Sequence, residues 1–241
     1  MNRTGPIWER PPHSRDQIVR RVCERLEDTY GQPRHGNPED PLEDLVYVLL
    51  SNRTPPNRAK HVYETFRDYF PVWSDVLEAD RDEVVDVLRP AGFANRRADQ
   101  IRSILAQLKE DFGDFQANRL WDKENDELLA YLTTFRGVSD KVARCVMMYA
   151  LDRDVLPVDV HVHRVAYRLG WTARERPEQA HNELEALLPK HRYYLFHVDC
   201  VTHGRTHCTA TDPDCEGCPI QRYCQYYGGE MASERNSSDT E

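Results

Sequence analysis

Residues 135–141, Phe135-Arg136-Gly137-Val138-Ser139-Asp140-Lys141, join two helical patterns through a tight turn containing one glycine. The pattern before the turn covers 125–135 and the one after it covers 139–152. Helical periodicity on both sides of a turn glycine predicts a pair of helices, and the same signal continues outward. Ser14 and Gln17 have capping-box spacing ahead of Ile18, Val19, Val22, Leu26 and Tyr30. Asp40-Pro41-Leu42-Glu43 reads as N-cap, N1 proline and early acid, opening a helix through Leu45, Val46, Val48, Leu49 and Leu50. Asn95 opens another, with Ile101, Ile104, Leu105 and Leu108 on one face. Further helices are predicted near 57–69, 80–89, 159–169 and 177–188. There is no alternating β run and no long repeat, so the predicted fold class is all-α.

The chain has 241 residues, enough for one large domain or two small ones with a real core. At 39% hydrophobic and 30% charged, its Leu, Ile and Val are spaced as in a folded protein, which excludes global disorder. No apolar run approaches the roughly 20 residues that span a bilayer. The start, 1–12, has no apolar signal core, so the expected setting is cytoplasmic, and nucleoid-associated in a prokaryote. Residues 228–241 have the composition of a disordered tail. A net charge of −9 argues against a generally nucleic-acid-binding surface but leaves room for a local basic stripe. Arg89, Arg96, Arg97 and Arg102 against Asp99 are such a local excess, read either as phosphate contacts or as a solvated helix face.

Cys208, Cys215, Cys218 and Cys224 lie within 17 residues as C-x6-C-x2-C-x5-C. Four soft thiolates on one loop select zinc or an iron–sulfur cluster, and spacing alone leaves both open. A cytosolic setting disfavours disulfides. Cys23, Cys145 and Cys200 fall within helical patterns and read as buried small hydrophobes. In the turn at Gly137, Val138 and Ser139, backbone N–H groups and the following helix start form a candidate anion site. Asp159, in Leu156-Pro157-Val158-Asp159-Val160-His161-Val162-His163-Arg164-Val165, reads as a helix N-cap. His161 and His163, two apart on a helix, point to different faces and are not a metal pair.

The cysteine spacing, preceded by His203-Gly204-Arg205, resembles the [4Fe–4S] loop of the endonuclease III family of helix-hairpin-helix DNA glycosylases. Residues 135–141 resemble that family's Leu-Pro-Gly-Val-Gly-x-Lys, and 158–165 resemble its Val-Asp-x-His-x-x-Arg-Val. The resemblance covers roughly 16–227. It implies a helical-barrel domain over 34–153 and a discontinuous cluster domain of 1–33 and 154–227, with DNA in the cleft they form. It makes Cys208, Cys215, Cys218 and Cys224 ligands of a [4Fe–4S] cluster, with Arg205 and Arg222 set against phosphate. Lys141 takes the place of the lyase lysine: its amine attacks the sugar C1′ and leaves a Schiff base that permits β-elimination. A free lysine is about 0.04% neutral at pH 7, so its site must lower the pKa. Asp159 takes the place of the catalytic carboxylate.

Two hairpin positions depart from the family pattern. Ser139 replaces the second glycine and Asp140 adds a negative charge, so weaker phosphate binding is expected there. Ser51-Asn52-Arg53-Thr54 falls where the family has Ser-Ala-Gln-Ala/Thr, which puts Arg53 in the position that fills the vacated stack. Gly92-Phe93-Ala94-Asn95-Arg96-Arg97-Ala98 resembles Gly-Leu-Tyr-x-x-Lys-Ala, making Phe93 the candidate wedge; its alternative reading is a core residue. The implied activity is that of a bifunctional glycosylase and AP lyase for damaged pyrimidines, oxidised ones first. Competing readings are a glycosylase for another mismatched or modified base and a lesion-binding protein without catalysis. The implied partner is double-stranded DNA with a damaged base or abasic site, bound by a monomer with no membrane involved.

Overall fold

The computed structural model describes residues 14–31, 33–116 and 118–228; the tail expected over 228–241 lies outside them except for Gly228. Among the described residues all regular structure is helical. The chain forms two compact units, one from residues up to 35 together with 154 onward, the other from 36–153.

In the first unit, α1 (Arg15–Tyr30) starts at Ser14, whose side chain and that of Gln17 make the reciprocal capping box. α10 (Val160–Leu169), α11 (His181–Leu187) and α12 (Tyr193–Thr206) complete it. In the second unit come α2 (Pro41–Ser51), α3 (Pro56–Tyr69), α4 (Trp73–Glu78), α5 (Arg81–Leu88), α6 (Ala94–Phe112), α7 (Asn118–Trp121), α8 (Asn125–Leu132) and α9 (Asp140–Tyr149). α2 begins where the sequence places it: Asp40 caps the N–H groups of Leu42 and Glu43, with Pro41 in the first turn. α6 begins at Ala94, one residue before Asn95, on an N-cap residue, Phe93, in the left-handed region. The helix expected over 177–188 is broken into a 3-10 turn, Pro177–Gln179, and α11.

Each unit has its own core. α2 buries Leu42, Leu45, Val46, Val48, Leu49 and Leu50 and packs on α9 and α3, while α6 turns Ile101, Ile104, Leu105 and Leu108 towards α5 and α4. Each such buried aliphatic side chain contributes about 1.5–3 kcal/mol of transfer free energy. In the other unit Ile18, Val22 and Leu26 share one buried cluster with Val162, Val165 and Leu169, and Trp171 stacks on Phe196 with ring centroids 5.5 Å apart.

α12 runs through this second core; the sequence marks a helical pattern around Cys200 but not its bounds. Its buried residues, including Tyr193, Phe196, His197, Asp199, Cys200 and His203, occupy too many faces to leave an apolar stripe. Gly204 lets α12 approach α10: a methyl group there would lie 2.6 Å from His161 Nδ1 and 2.9 Å from His161 Cβ. Gly204→Ala is therefore expected to destabilise the protein by about 1–3 kcal/mol through overpacking, seen as a thermal midpoint several degrees lower.

Candidate active site and cysteine loop

The hairpin turn closes through the Val138 N–H, which donates to Phe135 O at 3.1 Å. Gly137 has φ +82°, and Gln100 of α6 packs so closely over it that a Cβ would lie 1.7 Å from the Gln100 amide nitrogen. The positive φ favours glycine there, and any Cβ would also have to displace the Gln100 amide. Val138 is buried, with its N–H committed within the turn, so it is a structural member of the hairpin. Gly137 and Ser139 are exposed. Ser139 is the N-cap of α9, accepting from Val142 N. Asp140 is paired with Arg144 at 2.6 Å. The acid expected to repel phosphate is thus neutralised from its own helix, and the serine that replaces the family's glycine has a capping task.

Lys141 is the second residue of α9, half-buried. It interacts electrostatically with Asp44, a residue the sequence analysis passed over. Asp44 lies in the apolar face of α2 and is fully buried; Asn37 Nδ2 donates to its Oδ1 at 2.6 Å, while its Oδ2 has no hydrogen-bond partner. Burial pushes its carboxyl up to about 7, against the opposing pull of Asn37 and Lys141. The signal in the sequence is the second of two acids, Glu43 and Asp44, inside the run from Leu42 to Val46.

Asp159 is the N-cap of α10: Oδ1 accepts from the N–H groups of both His161 and Val162 at 2.8 Å. These two bonds fix the orientation of the carboxylate at the start of α10. The segment before it, 155–158, is buried and pinned on both edges. Glu185 accepts from Leu156 N at 2.8 Å, His181 Nδ1 donates to Leu156 O at 3.1 Å, and buried His197 Nδ1 donates to Pro157 O at 2.8 Å. His161 and His163 diverge, to Arg164 and to the carbonyl of Arg174 respectively.

α10 also grips the cysteine loop. Arg164 donates to Cys208 O and Gly204 O, both at 2.8 Å, and to His161 Nδ1 at 3.0 Å. Arg168 donates to Cys208 Sγ at 3.1 Å and Thr209 O at 2.8 Å. Cys208, Cys215, Cys218 and Cys224 line a single cavity enclosing about 370 Å³ up to its open rim. Behind it, the Tyr30 hydroxyl of α1 lies 2.7 Å from His203 Nδ1 and 2.9 Å from His207 Nδ1, and His203 Nε2 stands 3.7 Å from Cys218 Sγ. Among the described residues no three His, Cys, Asp or Glu side chains converge as ligands of one metal ion; the thiols form the wall of a wider space. This donor set fits an iron–sulfur cluster: soft sulfur on one cavity, with an Arg168 N–H directed at Cys208 Sγ and the His203 ring beside Cys218 Sγ. Burial pushes the Cys218 thiol up to about 12, so a thiolate there needs a cationic partner. Arg205 and Arg222 are exposed.

Arg53 and Phe93 are both exposed, and Phe93 at 62% is not a core residue. The basic stretch around them is less available than its composition suggests. Arg97 is buried, with its guanidinium bonded to Ala91 O, Asn52 O and Thr54 Oγ1. Arg102 donates to the carbonyls of Val76, Leu77 and Ala79, and Arg89 pairs with Asp86. Arg96 remains on the exposed face, while Asp99 is taken by Arg81. The reading of Arg97 and Arg102 as phosphate contacts is corrected: both are spent on capping carbonyls.

The model of the HhH-GPD superfamily of base excision DNA repair proteins matches residues 46–190, and the chain belongs to that superfamily, as an endonuclease III-like member. It is 26% identical over 212 residues to endonuclease III of Thermotoga maritima, covering 88% of this chain and 92% of that protein. It is 28% identical over 181 residues to the DNA glycosylase/AP lyase ROS1 of Arabidopsis thaliana, covering 68% of this chain and 13% of the much longer plant protein. The solved structure of a trapped endonuclease III–DNA covalent intermediate shares the fold at TM-score 0.78 and 23% identity, covering 90% of this chain and 98% of that one. Endonuclease III relatives usually carry an iron–sulfur cluster.

Because the folded carboxyl of Asp44 is raised to about 7 from 3.8, the native state holds a proton that the unfolded chain has released. Its contribution to stability is intact below the unfolded pKa and is lost as pH rises towards about 7. Asp44→Asn is expected to remove this slope, so its stability relative to the parent should be higher at about pH 8 than at about pH 5. Urea melts of both proteins at the two pH values check it, and a constant difference would count against a buried, titrating Asp44.

Proposed function

We propose that this protein is a bifunctional DNA glycosylase and AP lyase that removes damaged, principally oxidised, pyrimidines from double-stranded DNA as a monomer. The observation that carries this reading is Lys141 in the first turn of α9, directly after the hairpin turn, within the superfamily match. The Arabidopsis relative named as a glycosylase/AP lyase supports it.

In this mechanism the Lys141 amine, as free base, attacks C1′ of the deoxyribose. The bond from C1′ to the base nitrogen breaks, its electron pair leaves with the base, and the base nitrogen takes up a proton. Opening of the sugar ring gives a Schiff base between Nζ and C1′. Loss of a C2′ proton then expels the 3′ phosphate by β-elimination. Asp159, ionised and held by two backbone N–H groups, stabilises the positive charge that develops on the sugar and passes protons in the Schiff-base steps. Gly137 and Ser139 present the turn and helix start to a backbone phosphate, with Asp140 compensated by Arg144. Arg53 and Phe93 fill and wedge the stack from which the nucleotide is withdrawn.

Cys208, Cys215, Cys218 and Cys224 would hold a [4Fe–4S] cluster, which supplies structural order rather than hydrolytic chemistry. Arg168 directs an N–H at Cys208, the His203 ring lies beside Cys218, and Arg205 and Arg222 stand exposed for phosphate.

Borohydride added to the protein with a duplex bearing one abasic site is expected to trap a covalent adduct. Lys141→Gln should abolish the adduct and Asp159→Asn should slow its formation by about 100-fold or more. An adduct that survives Lys141→Gln would sink the assignment of the nucleophile. Separately, the purified protein is expected to contain about four irons per chain and to lose them in Cys218→Ser. One zinc per chain would overturn the cluster.

A further inference from the structure

Three non-glycine residues have positive φ among the described residues, and two of them, Arg53 at +59° and Phe93 at +51°, are the proposed DNA-reading side chains. A left-handed backbone is strained for a residue with a side chain, and such strain persists only where surrounding contacts hold it. The contacts that hold it here converge on one side chain. Arg97, 4% exposed, donates from Nη2 to Asn52 O at 2.7 Å and Thr54 Oγ1 at 2.9 Å, the residues on either side of Arg53. From Nη1 it donates to Ala91 O at 3.0 Å, two residues before Phe93, and its own backbone N–H takes Phe93 O at 3.0 Å. The Thr54 hydroxyl closes the triangle by donating to Ala91 O at 3.2 Å. Both loops are thus tied to one buried guanidinium, while Arg53 and Phe93 project outward.

We propose that Arg97 is a positioning residue that presets Arg53 and Phe93 as a rigid two-pronged element for DNA entry; this rests on reading those two side chains as the DNA-facing pair. A planar fork of five donors serves three acceptors on two loops at once, which an ammonium cannot do with the same geometry. The purpose of rigidity is that a gap-filling pair must be in place when a nucleotide leaves the stack. Ordering two loops at that moment would subtract from the binding energy available for extrusion.

The test compares Arg97→Met, Arg97→Lys and Thr54→Val with the parent on a duplex whose abasic site faces 2-aminopurine. Fluorescence of that base reports insertion without requiring lyase chemistry, and cleavage of the duplex is followed beside cleavage of a single-stranded abasic oligonucleotide. Arg97→Met is expected to lose most of the fluorescence change and about 10- to 100-fold of duplex cleavage, with single-strand cleavage within about threefold. Arg97→Lys should restore only part of it. Thr54→Val, which keeps the fold if Arg97→Met does not, should move in the same direction by less. In an Arg53→Ala/Phe93→Ala background, Arg97→Met should add nothing further on the duplex. Equal losses on both substrates, additive losses in that background, or parent-like insertion in folded Arg97→Lys and Thr54→Val would each overturn the clamp. If Arg53→Ala/Phe93→Ala itself behaves as the parent, the DNA-reading assignment has failed and takes the proposal with it, a result distinct from failure of the clamp alone.

Discussion

The grip of α10 on the loop that follows α12 is the constraint on which the first unit depends. Asp159 opens α10 by capping its first N–H groups, and one and two turns later Arg164 and Arg168 hold Gly204, Cys208 and Thr209. A catalytic carboxylate candidate and a cysteine loop are therefore parts of one rigid element, joined by guanidinium–carbonyl bonds across a separation of some forty residues in sequence. The extended segment before Asp159 is fixed by buried imidazoles and Glu185, so the carboxylate is held from both directions.

In the second unit the same chemistry recurs with different partners. Arg97, Arg102 and Arg153 each end on two or more backbone oxygens, as do Arg67, Arg164 and Arg168. This accounts for part of the imbalance between 27 arginines and 5 lysines. A fold of short helices leaves many terminal carbonyls without intrahelical partners, and the guanidinium fork satisfies several at once. It also explains why an acidic chain with an arginine-rich sequence offers fewer cations to DNA than a count suggests.

Much of the fold was legible because helix boundaries are written locally. Ser14 with Gln17, Asp40 with Pro41, and Asp159 act on the next three residues, and their readings needed no tertiary information. α12 was legible only as a helical pattern around the buried Cys200, because a helix surrounded by core loses its one-sided pattern and hides buried His197, Asp199 and His203 among apolar neighbours. The burial of Asp44 and of Arg97 is hidden in the sequence for a related reason. Polar residues inside helical patterns look like solvent-facing ones until their burial is known.

Spacing and residue type in the sequence alone determined the all-helical class, the hairpin turn, the capping role of Asp159 and the four-cysteine loop. Those are short-range properties, set by periodicity, capping chemistry and ligand softness. Only the tertiary structure decided that Phe93 is exposed and Arg97 buried, that Asp140 is neutralised, and that the four thiols share one cavity with Arg168 and His203 at its wall. Each of these depends on which distant backbone carbonyl, charge or helix face arrives beside the residue, and no local pattern encodes that arrival.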